Sequence, residues 1–233
     1  MRTGTGDARG FAGQVRDALR RTVTGRGRRG LLGSTLLLGG LVAGLVAAAA
    51  PAPSLAALAA PAQLLMSVLV PLSGVLLAHD LTRPGNTLRP PPMIVAAVVY
   101  AALVAVAGFA LCGLATAIAP GAALGDPRSA LSVALGGIGV QVTAQLVGTG
   151  FGLLLPRTGV AFLATIVVPL GLWLLLGTTG PRLQQWLTPF GANPPLLTGA
   201  PSPTDLAAWV VVLLLWGGLL NGAGVRRLPM PTT

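Results

Sequence analysis

Six stretches of this chain are each apolar and long enough to cross a lipid bilayer, and that leaves few folds open. They cover residues 31–50, 62–78, 93–119, 129–155, 158–177 and 206–224. A helix needs about 20 mainly apolar residues to span the hydrocarbon core, where each segment must satisfy its own backbone hydrogen bonds. The expected fold class is therefore all-α: a polytopic membrane protein with six transmembrane helices. Of 233 residues, 53% are hydrophobic and 9% charged, against about 25% charged in a soluble domain. The second stretch is short unless the preceding "LAALAA" extends it, and the third and fourth are long enough to tilt. Between them lie "PAPS", "RPGNTLRPPP", "PGAALGDPRS", "LPRTG" and "TTGPRLQQWLTPFGANPP", the punctuation expected of turns.

All fifteen basic residues are arginine, and their placement sets orientation. Eight fall within residues 1–30: Arg2, Arg9, Arg16, Arg20, Arg21, Arg26, Arg28 and Arg29. Alternate loops add Arg83 and Arg89, then Arg157, and the end of the chain adds Arg226 and Arg227, thirteen in all on one side. The other side has only Arg128 and Arg182. Arginine gathers on cytoplasmic loops, so the expectation is an even number of crossings with both termini cytoplasmic. The chain then divides into a basic cytoplasmic segment at 1–30, a membrane domain at 31–224 and a tail at 225–233. Arg157 holds a very short turn inside. A net charge of +10 also suits nucleic-acid binding, but no basic residues interleave with aromatics on a polar face, so no nucleic acid is expected. "RRGLL" before an apolar run and "AAAAPAPSLAA" also reads as a twin-arginine signal with small residues near a cleavage site. Its run is long for a signal, and cutting it would spoil the charge alternation.

Three segments outside the spans carry their own patterns. In "GFAGQVRDALRRTV", residues 10–23, Phe11, Val15, Ala18, Leu19 and Val23 share one helical face, and Gln14, Arg16, Asp17, Arg20 and Arg21 lie largely opposite. That pattern predicts an amphipathic helix lying in the headgroup plane of an anionic leaflet; a basic tail serving only topology is the alternative. The outer segment "GPRLQQWLTPFGANPPLLTG" offers Leu183, Trp186, Leu187 and Phe190 to the interface. A short helix broken at Pro189 and a second apolar touch at Leu196 and Leu197 would make a re-entrant hairpin before the last span. Aromatic residues at this depth anchor more often than they bind. The inner loop "HDLTRPGNTLRPPP" starts with His79 and Asp80 at a helix exit, and "PPP" predicts a stiff extended connection.

The chemistry available is limited. One cysteine, Cys112, sits in an apolar run, and one histidine, five aspartates and no glutamate or lysine make up the rest. A lone cysteine cannot form a disulfide within the chain, and these residues offer no metal site, nucleophile–base pair or HExxH motif. No enzymatic activity is expected in this chain. No span centre carries a charge, which argues against proton-coupled transport. Uncharged polar groups occur instead: Gln141, Gln145 and Thr149 recur at i, i+4 and i+8 on one face of the fourth span. They either bond helices together or line a transport path. Gly148 and Gly152 beside them, Gly40 and Gly44, and Gly218 and Gly222 have the spacing that lets helices approach closely. Pro71 and Pro169 fall inside spans two and five, where they would kink the helix.

The order of these parts resembles the membrane permeases of ATP-binding-cassette transporters of the type-2, exporter class. The most specific match is "QLVGTGFGLLLPRTGVAFLATIVVPLG" followed by "WLTPFGA". It is similar to that family's small-residue-rich fourth span, short basic turn, fifth span and outer "LPF"-like loop. The inner loop keeps Asp80 and an Asn–Thr pair but is shorter and richer in proline than the family's. The resemblance implies coupling to an ATPase through Asp80, Arg83, Thr87 and Arg89, a substrate path touching Gln141, Gln145 and Thr149, and an outer hairpin carrying Trp186, Leu187 and Phe190. No GxxxxGK[ST] motif occurs, so ATP and magnesium would be held by a separate nucleotide-binding subunit. Six spans are half that family's usual complement, so the resemblance implies a second permease copy, most simply a homodimer, in a bacterial cytoplasmic membrane. The cargo implied is amphipathic or lipid-like. From a different class, a non-transporting membrane scaffold or assembly protein binding a partner through its basic segment also fits these residues.

Overall fold

The computed structural model describes residues 5–83, 88–121 and 126–228. These are helical throughout apart from short turns: α1 (Thr5–Val23), α2 (Arg26–Ala49), α3 (Leu55–Leu81), α4 (Pro90–Ile118), α5 (Pro127–Leu154), α6 (Thr158–Thr179), α7 (Pro181–Leu187), α8 (Pro189–Leu196), α9 (Pro203–Val212) and α10 (Leu220–Arg226). A π-helical stretch, Leu213–Leu219, joins α9 to α10. Among the described residues, six helices are long and apolar enough to span a membrane: α2, α3, α4, α5, α6 and the composite from Pro203 to Arg226.

Several boundaries differ from the sequence expectation, each for a local reason. The second span reaches back to Leu55 and takes in "LAALAA", because the Ser54 side chain caps the helix by accepting from the Ala57 N–H (3.2 Å). "PPP" is not an extended connection: Pro90, Pro91 and Pro92 form the first turn of α4. A first-turn N–H has no partner inside the helix, so proline costs nothing there and its fixed φ is already helical. Asp126 caps α5, accepting from the Ser129 N–H (3.3 Å). Ser202 and Asp205 cap α9 reciprocally, with Asp205 accepting from the Ser202 N–H (2.8 Å).

The bundle is organised around α5, which runs against α3 along most of its length. Glycine makes that approach possible. A Cβ at Gly74 would stand 2.6 Å from the Gln145 carbonyl oxygen, one at Gly152 would stand 2.8 Å from Val75 Cα, and one at Gly148 would overlap the Pro71 carbonyl. Gly148 and Gly152 therefore lie in a backbone-to-backbone contact. The other two pairs do not: Gly40 meets only Leu111, at 3.8 Å, and added methyls at Gly44, Gly218 and Gly222 would touch nothing.

Both ends of the described chain lie at one end of the bundle. There Ala18 of α1 packs with Leu77, Leu88, Met93 and Leu153, and Val225 and Leu228 close over the same cluster. On α1, Ala18 and Thr22 are buried and Val15 and Leu19 partly so, whereas Phe11 and Val23 are exposed.

Candidate functional site

The basic end of the bundle holds a connected set of polar contacts centred on α3's last turn. Asp80 is 4% exposed. Its Oδ2 accepts from Arg28 Nη2 at 2.7 Å, and Arg83 Nη1 lies 3.0 Å from its Oδ1. Arg28, at the start of α2, also donates to the carbonyls of Arg21 (2.5 Å) and Leu76 (3.2 Å). One guanidinium thus joins the end of α1, the start of α2 and the end of α3. A carboxylate taken this far from water requires such pairing. His79, beside it, faces the α5–α6 turn, with Nε2 2.9 Å from the Leu155 carbonyl and Nδ1 2.9 Å from Thr158 Oγ1. A carbonyl can only accept, so the proton of the neutral ring sits on Nε2 and Nδ1 accepts from the threonine hydroxyl.

Of the residues predicted for coupling, Asp80 faces inward and Arg83 and Arg89 are exposed. The Arg89 N–H donates to Gln14 Oε1 of α1 (3.2 Å). Thr87 lies outside the described residues. Sequence reasoning did not single out Arg28, one of eight arginines in a basic segment, and nothing in its local pattern distinguishes it from Arg26 or Arg29.

The polar stripe on α5 is completely buried, each of Gln141, Gln145 and Thr149 being 0% exposed. Each meets a polar partner on a neighbouring helix. Gln141 Nε2 donates to the Gln63 carbonyl (2.8 Å) and to Gln63 Oε1 (2.9 Å), and Gln63 Nε2 donates to the Ala105 carbonyl of α4 (2.9 Å). Gln145 pairs with Ser73: its Nε2 donates to the Val70 carbonyl and to Ser73 Oγ, both at 2.8 Å, in the amide orientation that satisfies both of its ends. Thr149 Oγ1 donates to Asn221 Oδ1 (2.7 Å), and Asn221 Nδ2 donates to the carbonyls of Leu146 (2.8 Å) and Gly217 (2.7 Å). The stripe therefore links α5 to α3, through α3 to α4, and to the last span. Gln63 and Asn221 were legible as single amides in apolar runs, "PAQLL" and "GGLLNGAG"; their register against α5 was not.

The third region is the α7–α8 segment. Gln184 Nε2 donates to the Trp173 carbonyl of α6 (2.7 Å), Gln185 Nε2 to Asp205 Oδ1 (2.6 Å), and Trp216 Nε1 to the Leu187 carbonyl (2.8 Å). The chain breaks at Thr188, which is 0% exposed and whose hydroxyl accepts from the Gly191 N–H (3.1 Å). Gly191 then lies directly on the Gln184 carbonyl, where no side chain would fit. Trp216 is well along the composite last helix that begins at Pro203, about 20 Å at 1.5 Å per residue. Trp186 is half-buried and Phe190 is 41% exposed.

Among the described residues, no group of three or more His, Cys, Asp or Glu side chains could hold a metal ion. No family model matches the chain, and no curated protein matches it.

Proposed function

We propose that this chain is the membrane permease of an ATP-driven exporter, moving an amphipathic or lipid-like substrate across the bacterial cytoplasmic membrane. A separate nucleotide-binding subunit would hold ATP and magnesium, and a second copy of the chain would complete the pathway. The observation that carries this reading is the bonded basic end. A push on α1 or on the loop after α3 meets Arg28, Asp80 and Arg83, and His79 passes it to the start of α6. Such a linkage suits a helix end that receives force from a partner. With thirteen arginines on that side, it would face the cytoplasm, with α1 along the inner leaflet and the α7–α8 segment dipping into the membrane from outside as a re-entrant hairpin. Asp80 would act in coupling from within, holding the loop that presents Arg83, Thr87 and Arg89.

The test is ATP hydrolysis by the complex purified with its partner ATPase in lipid nanodiscs. Arg83→Glu should lower substrate-stimulated turnover about tenfold, equivalent to 1.4 kcal/mol, while the complex stays assembled. A chain that recruits no ATPase, or an Arg83→Glu complex with unchanged stimulation, would overturn the proposal. The scaffold reading keeps one observation in its favour: the polar stripe of α5 is bonded within the chain, as a static bundle would have it.

A further inference from the structure

An open groove of about 720 Å³ runs between the last span and the first turns of α4. Pro90, Pro91, Val225 and Arg226 line its basic end, and Leu213 and Leu214 line its far end. From Leu213 to Arg226 the helix rises about 20 Å, against about 15 Å for half of the hydrocarbon core. The groove therefore starts at the arginine-rich end and covers the depth of one leaflet. Glycine leaves it open: a Cβ added at Gly218 or Gly222 would meet nothing. Leu146 of α5 lines it from behind, and a Cβ at Gly217 would come within 3.0 Å of that side chain. Asn221 also lines the groove, but its amide is already bonded to Leu146, Gly217 and Thr149. Apart from Arg226, no other lining side chain carries a polar atom. Vacant space beside two glycines forfeits dispersion contacts, which a flexible apolar chain recovers.

Charge sits at one end of the groove only. Arg226 is exposed, and its side chain has no hydrogen bond or ion pair among the described residues. The same holds for the side chains of Arg227, its neighbour, and Arg89, which precedes Pro90. No carboxylate lines the groove. We infer that the groove seats one acyl chain of an anionic glycerophospholipid of the arginine-rich leaflet, lying along Gly218 and Gly222 with its phosphate against Arg226. Guanidinium takes phosphate through paired hydrogen bonds, and basic sites between helix ends attract anionic headgroups. A second copy of this chain fits the same face poorly. Two copies in one membrane have their basic ends level, and a shared twofold face meets itself. It would bring Arg226 of each copy together with no acid between them. The inference does not depend on the exporter reading: a static bundle would hold such a lipid equally well, and a copy that completes a pathway would use another face.

The probes are dioleoyl phosphatidylglycerol and dioleoyl phosphatidylethanolamine, which share their chains and differ in net charge. The full chain in detergent is equilibrated with equal amounts of both, and native mass spectrometry reads which lipid stays bound. The anionic lipid should be retained as one copy per chain, preferred about fivefold or more. Arg226→Gln should cut that preference about fivefold, whereas Arg128→Gln, an exposed arginine at the start of α5, should leave it unchanged. Gly218→Leu combined with Gly222→Leu grows into open space and should lower retention of both lipids about tenfold. Equal retention of the two lipids by the unaltered chain would overturn the inference. So would an equal loss of preference in Arg128→Gln, or full retention in the leucine pair. A dimer that the leucine pair dissociates would overturn it too, since a second copy would then fill the groove. If the leucine pair misfolds, the two arginine variants still decide it.

Discussion

Helices α5 and α6 are neighbours joined by a three-residue turn, and both pass for membrane spans, yet they occupy opposite environments. In α5, 67% of the apolar window is buried; in α6 the figure is 17%. The less hydropathic helix is the buried one, the reverse of a soluble protein. Lipid is as apolar as leucine, so hydrophobicity confers no preference for the interior. What draws a helix inward is close packing and interhelical hydrogen bonding. Helix α5 has both, in Gly148, Gly152 and the Gln141–Gln145–Thr149 stripe. Helix α6 presents Leu163, Val167, Leu174 and Leu175 outward. Its polar attachments lie toward its ends, at Thr158 with His79 and at the Trp173 carbonyl with Gln184.

That contrast can be broken in a ranked way. Gly148→Leu forces a side chain into the Pro71 backbone and should cost about 3 kcal/mol or more, seen as loss of a cooperative transition in nanodiscs. Wild-type stability in that variant would refute the α3–α5 contact. Gln141→Leu should cost about 1 kcal/mol, as interhelical bonds in bilayers do, because it strands Gln63. The double change Gln63→Leu with Gln141→Leu should recover part of that loss, since both partners then leave together. His79→Ala should cost about 1 kcal/mol and act locally, with faster hydrogen exchange in the first turn of α6 and none of the change spreading along α5. Gly171→Leu, where an added methyl meets nothing, should stay within about 0.5 kcal/mol. A larger effect there would mean that α6 is packed against something other than lipid.

The number of spans was readable because a bilayer imposes a length on every crossing. The closeness of Gly148 and Gly152 to another helix was readable from spacing, but the same spacing at Gly218 and Gly222 meets no partner among the described residues. Nothing in either pair distinguishes them, since the deciding atoms belong to Pro71 and Val75 on another helix. The prolines of "RPPPM" were misread as an extended exit because proline suits both an extended segment and a helix's first turn. Their effect depends on where the helix starts. The break at Thr188–Pro189 was legible from the proline, whereas the bond from Trp216 to the Leu187 carbonyl was not.

The sequence by itself determined that this chain is a set of six apolar helices, with arginine gathered at one end of the alternation. Both properties depend on each segment's own solvation, which its own residues decide. Only the tertiary structure decided which helix lies at the centre, which of eight N-terminal arginines reaches Asp80, and which amide pairs with Gln141. Those outcomes turn on register between helices far apart in the chain, where a displacement of one turn, about 5.4 Å, exchanges every partner while leaving each helix's own pattern unchanged.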